Sequence, residues 1–197
     1  SGTATANEDG TYSYKLSTND VITITPAATA TVTHVAEGTV KNAFSYTLEN
    51  ADYYSNVTKT EGDLSITVAT LTVKTESGEK TYDGTALTAA GSVTGYKNGE
   101  TATFTVTGSQ TVVGESTNSY TLVFDKTAVS TDYTISEDLG TLKVTEDKTE
   151  LTIVSATDSK EYDGTALTAP TYTITYGEAS GTATANEDGT YSYKLST

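Results

Sequence analysis

The 197-residue sequence contains no cysteine, methionine or tryptophan, a single histidine and two prolines. All eleven basic residues are lysines, so arginine is missing as well. Without cysteine there is no disulfide framework and no thiolate for a metal. With His34 as the only imidazole, zinc is excluded on ligand count. No apolar run approaches the roughly 18 residues that a membrane helix needs, and the sequence carries no signal-peptide pattern. Basic clustering is missing too. A net charge of −15 leaves nothing to displace the counterions of a nucleic acid, and it repels an anionic bilayer. The expected partners therefore include neither nucleic acid nor membrane.

What is present points to strands. Threonine fills 45 positions, and its β-branched side chain favours extended backbone while keeping an outer strand face wettable. Hydrophobic residues make up 35% and charged residues 19%, too apolar and too weakly charged for a disordered chain and sufficient for small packed cores. The acidic residues are scattered, as on a solvated surface that keeps a crowded array from self-adhesion.

Internal repeats set the organisation. Ser1 to Thr18 reads SGTATANEDGTYSYKLST, and Ser180 to Thr197 repeats all eighteen residues at an offset of 179. Coincidence is excluded, and the parent sequence is expected to repeat with that period. Inside it, Tyr82 to Ala89 reads YDGTALTA, and Tyr162 to Ala169 reads the same at an offset of 80. Leu71-Thr72-Val73 precedes the first and Leu151-Thr152-Ile153-Val154 the second. Tyr133 to Val144 (YTISEDLGTLKV) has a longer relative in Tyr54 to Val68 (YSNVTKTEGDLSITV), and Ser119 to Leu122 matches Ser45 to Leu48. Two alternating modules follow. Residues 75–147 form a complete shorter module, 148–197 open a longer one, and 1–74 carry the end of the longer type. The ends of the sequence then fall inside a module.

Strict alternation predicts strands at Val21–Thr25, Thr103–Thr107, Tyr120–Phe124, Thr141–Val144 and Thr171–Tyr176. Tyr12–Leu16 follows a turn at Asn7–Gly10 and predicts a hairpin. Lys97–Glu100, Asp83-Gly84 and Asp163-Gly164 are further turns. Helical periodicity allows one short turn at most, near Lys126–Ser130 or Glu49–Tyr54. Pro26 and Pro170 belong at strand ends or edges. Small antiparallel modules joined with almost no linker make an elongated rod, each adding on the order of 30 Å.

The two YDGTALTA segments and the closing Asp132-Tyr133 through Gly140-Thr141-Leu142-Lys143-Val144 resemble the YDG-type (MBG-type) repeats of large bacterial surface and adhesin proteins. Those repeats open on Tyr-Asp-Gly, here Tyr82-Asp83-Gly84 and Tyr162-Asp163-Gly164, and close on Asn-Tyr, a spacer and Gly-x-Leu-x-Val. Asp132 replaces the usual Asn. The resemblance implies an all-β fold, β-grasp-like or an immunoglobulin-like sandwich, serving as a spacer in a cell-surface fibre, with no catalysis, cofactor or metal.

Other chemistry finds thin support. His34 lacks a nucleophile-elbow neighbour and reads as structural. Calcium needs six to eight convergent oxygens, and the acidic loops Asn7-Glu8-Asp9, Glu137-Asp138 and Glu146-Asp147 lack such spacing. An intramolecular amide bond would need Lys80 or Lys160 to meet Asn118 or Asn42. Asp83 and Asp163 read as turn-forming carboxylates, and the fourteen tyrosines as core and sheet-face residues. The expected function is an extracellular structural stalk repeat of a bacterial surface adhesin or fibre, its partners the neighbouring modules. The alternatives are a weak, multivalent glycan- or host-binding repeat and a head-to-tail filament subunit joined by strand exchange.

Overall fold

The computed structural model describes residues 2–195; Ser1, Ser196 and Thr197, at the outer edges of the eighteen-residue repeat, lie outside the described residues. The fold is all-β. Among the described residues there is no α-helix. The helical content of the described residues is three short 3₁₀ turns at Val35–Glu37, Ala51–Tyr53 and Ser130–Asp132. The sequence allowed for one. The turn at Ala51–Tyr53 falls within the Glu49–Tyr54 window, and the other two have too few residues to show any helical period. The chain divides into two compact units, one comprising Ser1–Lys74, Ser92–Thr105 and Thr121–Asp138, the other Thr75–Gly91, Val106–Tyr120 and Leu139–Thr197.

In the first unit β1 (Thr5–Ala6), β2 (Tyr12–Lys15) and β3 (Val21–Pro26) run antiparallel, followed by β4 (Val40–Asn42), β5 (Phe44–Leu48) and β6 (Gly62–Leu64). The four-stranded sheet has the order β1-β2-β3-β5, with Tyr12 opposite Ile24 and Ile24 opposite Tyr46, while β4 pairs with β6. Pro26 ends β3, where its missing N–H costs no ladder bond.

The next strands are β7 (Ala69–Thr75), β8 (Gly78–Thr81), β9 (Gly91–Thr94), β10 (Thr103–Val106), β11 (Gly114–Thr117), β12 (Tyr120–Val123), β13 (Tyr133–Asp138) and β14 (Thr141–Thr145). β7 runs across the 74/75 boundary set by the repeat. Strand β10 pairs with β12, and β7 lies between β13 and β9. The β7–β13 ladder is parallel, with Tyr133 opposite Ala69 and Ile135 opposite Leu71. β7 is paired on both edges and covered on one face: Leu71 and Val73 are 0% exposed, while Thr70, Thr72 and Lys74 on the other face are exposed. Leu71, Ala128 and Tyr133 form the core of this unit, with Val93, Tyr96, Leu122 and Phe124 packed against them. The Tyr133 ring stacks on Phe124 at 6.5 Å and meets Tyr96 edge-on at 6.1 Å. Its hydroxyl donates to the Glu100 carboxylate and accepts the Lys97 N–H at 3.0 Å, so the polar end of a buried ring is satisfied.

In the second unit the order is β11-β14-β8, with β14 antiparallel to β11 and parallel to β8. These two parallel ladders depart from the purely antiparallel modules expected from the sequence, because side-chain alternation is the same in either strand direction. Leu142 and Val144 on β14 are fully buried. Gly140 is required where it stands: a Cβ there would lie 2.3 Å from the Glu76 carbonyl carbon. Last come β15 (Leu151–Ser155), β16 (Tyr172–Tyr176), β17 (Ala179–Thr182), β18 (Thr184–Ala185) and β19 (Tyr191–Ser192). β15-β16-β17 is an antiparallel sheet and β18–β19 a hairpin.

Asn118 ties the second unit together. It is 0% exposed. Its Nδ2 donates to the carbonyl of Glu76 at 2.9 Å and, at 3.2 and 3.4 Å, to those of Ala89 and Ala90. Its own carbonyl accepts the Thr75 hydroxyl at 2.7 Å, and Thr75 Oγ1 in turn accepts the Gly140 N–H at 3.0 Å. Truncating the side chain removes a buried donor from these part-buried carbonyls, which costs on the order of 1–3 kcal/mol. Asn118→Ala is therefore expected to lower the urea midpoint clearly, while Asn56→Ala at an exposed position leaves it within about 0.5 kcal/mol of the parent. Equal midpoints for the two variants would contradict this role.

Candidate functional site

The Tyr-Asp-Gly segments fold into the same turn twice. Asp83 Oδ1 accepts the Thr85 N–H at 2.9 Å and the Thr85 hydroxyl at 2.8 Å; Asp163 Oδ1 does the same with Thr165, at the same two distances. Gly84 and Gly164 both sit at φ 78°, where a Cβ is strained, which accounts for Gly after Asp. Lys80 Nζ bonds Asp83 Oδ1 at 2.6 Å and the Thr85 carbonyl at 2.7 Å, and Lys160 reaches Asp163 and Thr165 in the second copy. Tyr82 and Tyr162 are exposed beside these turns. The lysines considered for an amide bond are thus directed into their own turns, while the Asn118 amide faces backbone carbonyls.

The eighteen-residue repeat also folds alike in both copies. Thr5 opposes Ser13 and Ala6 opposes Tyr12; Thr184 opposes Ser192 and Ala185 opposes Tyr191. Each turn is locked by an Asp accepting from the Thr two positions on, Asp9 from Thr11 and Asp188 from Thr190, both hydroxyl bonds at 2.6 Å. These acidic loops spend their oxygens on their own backbone. Among the described residues no group of three or more metal-ligating side chains converges.

His34 has a partner that the sequence did not indicate. Its Nδ1 lies 2.6 Å from Asp132 Oδ2, and Asp132 Oδ1 accepts the Val35 N–H at 2.8 Å. Both belong to the first unit, where two 3₁₀ turns meet. Glu37 accepts the N–H groups of Thr33 and His34 and fixes the imidazole's backbone. The hydrogen bond to Asp132 raises the His34 pKa, and the same bond lowers that of Asp132. A carboxylate at 132 accepts from both donors.

The described residues also carry an open apolar groove of about 450 Å³ in the second unit, lined by Leu151, Ile153, Tyr172, Ile174, Tyr191 and Tyr193 among others. The Tyr172 and Tyr191 rings meet edge-on at 4.9 Å. Composition offered no signal for this groove, because its residues read as ordinary strand interior. The repeat does expose it. Leu151 and Ile153, the counterparts of the fully buried Leu71 and Val73, are 48% and 69% exposed.

Compared with known protein families, curated proteins and solved structures, the chain matches none.

Two titrations follow. Asp83 is held down to about 2, first by the Lys80 hydrogen bond and then by those from Thr85. A depressed carboxylate contributes stability above its unfolded value and loses it as pH falls through the folded one. The carboxyl signal of Asp83 is expected to titrate near pH 2, and in Lys80→Ala to move up toward 3.8; a parent midpoint near 4 would contradict the lock. For His34 the sign reverses: the pair contributes fully below 6.5 and is lost as pH rises through the raised value. The His34 ring protons are expected to titrate above 6.5 and to return toward it in Asp132→Asn. A midpoint unmoved by the substitution would remove Asp132 as the cause.

Proposed function

We propose that this chain is a structural stalk repeat of a bacterial cell-surface adhesin or fibre, an extracellular spacer whose partners are neighbouring modules of its own kind. The observation that carries the reading is the sameness of local structure between copies. The two hairpins, one full period apart, share one strand register and one polar lock, and the two Tyr-Asp-Gly turns share one hydrogen-bond set. Segments kept identical between copies suit a part whose use is repetition. The remaining features agree with such a use. Threonine occupies the outer strand faces, and a charge of −15 keeps a dense array from sticking to itself. The locked turns lie on the surface and hold backbone rather than surrounding a reaction centre.

The test is length against repeat number. Chains of one, two and three full periods are expected to grow in maximum dimension by a constant step in small-angle scattering. Two modules at about 30 Å each set that step on the order of 60 Å. Compact particles whose dimension does not scale with repeat number would contradict the reading. Strong capture of the single-period chain on a glycan array would replace it with the multivalent binding module, for which the exposed Tyr53 and Tyr162 are the first residues to substitute.

A further inference from the structure

Within the first unit the longer module touches the shorter one through a loop that the repeat marks as enlarged. The β3–β5 pair of the longer module corresponds to β10–β12 of the shorter, and β4 corresponds to β11. Seven residues, 107–113, join β10 to β11, whereas thirteen, 27–39, join β3 to β4. The longer loop holds the 3₁₀ turn Val35–Glu37, entered through His34. Glu37 closes that turn by accepting the Thr33 and His34 N–H groups at 2.8 and 2.6 Å, and Gly38 ends it at φ 70°. Shaped in this way, the loop offers two donors to one carboxylate. The His34 ring reaches Asp132 Oδ2, and the Val35 N–H reaches Oδ1. Asp132 belongs to the other module. It ends the 3₁₀ turn Ser130–Asp132 directly before β13, and its side chain is 16% exposed. The next residue, Tyr133, is buried in the core, so the carboxylate projects from a fixed backbone.

We propose that the 27–39 loop is a pH-graded clasp between consecutive modules, gripping Asp132 of the shorter module while His34 carries a proton and loosening when the ring is neutral. His34 is the single histidine of the chain, and histidine is the side chain whose ordinary value lies between pH 5 and 8. The charged groups acting on the ring are all acidic: Asp132 from the opposing turn, Glu37 from its own turn and Glu100 from the loop before β10. Glu100 also accepts the Tyr133 hydroxyl. An imidazolium therefore balances carboxylates from three segments, and losing its proton leaves like charges near one another. A neutral ring keeps one N–H to donate, so the grip weakens without vanishing. The carboxylates set the acid limit. Asp132 is held below its ordinary value first by the His34 side chain, and Glu37 first by the His34 backbone N–H. The sign follows for each: the clasp is complete between 4.5 and 6.5, loosens as pH rises through the raised His34 value, and opens as pH falls through the depressed carboxylate values. The clasp needs only the two modules and stands whether or not they serve as a stalk.

The Val35 amide reports the clasp directly, because its N–H is one of the two donors. Its protection factor, measured by solvent-exchange NMR and corrected for the pH dependence of exchange itself, is expected to be higher at about pH 5.5 than at about pH 8.5. The expected ratio reaches up to about fivefold, the scale of an exposed ion pair. The His34 side chain is 43% exposed, so its substitution leaves the core alone. His34→Gln retains a side-chain donor without the titrating charge, and is expected to show the weaker protection at both pH values. Asp132→Asn is expected to lower Val35 protection at the acid value and to remove its pH dependence. A purely structural contact would leave the parent's protection level across this range. Equal protection of the parent at both pH values, a parent-like response in His34→Gln, or Val35 protection untouched by Asp132→Asn would each overturn the proposal.

Discussion

The constraint on which the rest depends is the pairing of the repeated strand along both of its edges. β7 reads Ala-Thr-Leu-Thr-Val-Lys-Thr, a modest alternation, and becomes a core strand because β13 and β9 flank it and Tyr133, Ala128 and Val93 lie over Leu71. Almost the same motif in β15 has one neighbour and stays open. Burial here is a property of the pairing more than of the local sequence. In cores this small, losing one covering strand uncovers the whole apolar face of the next.

With so little apolar volume available, polar contacts fix geometry that packing alone would leave loose. Asn118 joins segments that are distant along the chain, and the Glu100 carboxylate completes the buried end of Tyr133. Tyr54 plays a comparable part, donating to Asp20 at 2.5 Å and pairing with Thr18. The Asp–Thr locks of the hairpins and of the Tyr-Asp-Gly turns are exposed. Individually they contribute little to stability, but they define where each strand starts. A chain that repeats gains from such local definition, because identical segments compete for the same partners and wrong registers are always nearby.

Much of the fold was legible in the sequence. Alternation located β3, β10, β12, β14 and β16, and the Asn7–Gly10 turn announced its hairpin. The Tyr-Asp-Gly residues behave as the turn formers their chemistry suggested. The hidden parts are those that depend on distant partners. Strand direction leaves no trace in a period of two, so the parallel ladders could not be read. The His34–Asp132 pair spans 98 positions, and neither residue lies in a recurring motif that links them. Asn118 stood out in the sequence only as a candidate amide-bond partner, and its three carbonyl acceptors come from segments distant along the chain. The groove was legible only indirectly, through the comparison of Leu71 with Leu151 that the internal repeat allows.

Pairing on the second edge decides whether the repeated strand is core or surface. Amide hydrogen exchange measured on dilute chain tests it directly. The Leu71 and Val73 amides are expected to exchange slowly, in the range set by opening of the whole unit, whereas the β15 amides that face away from β16 exchange close to the rate of unstructured backbone. Equal, strong protection of both sets in the dilute monomer would show that β15 is already covered within its own chain, and would contradict the claim.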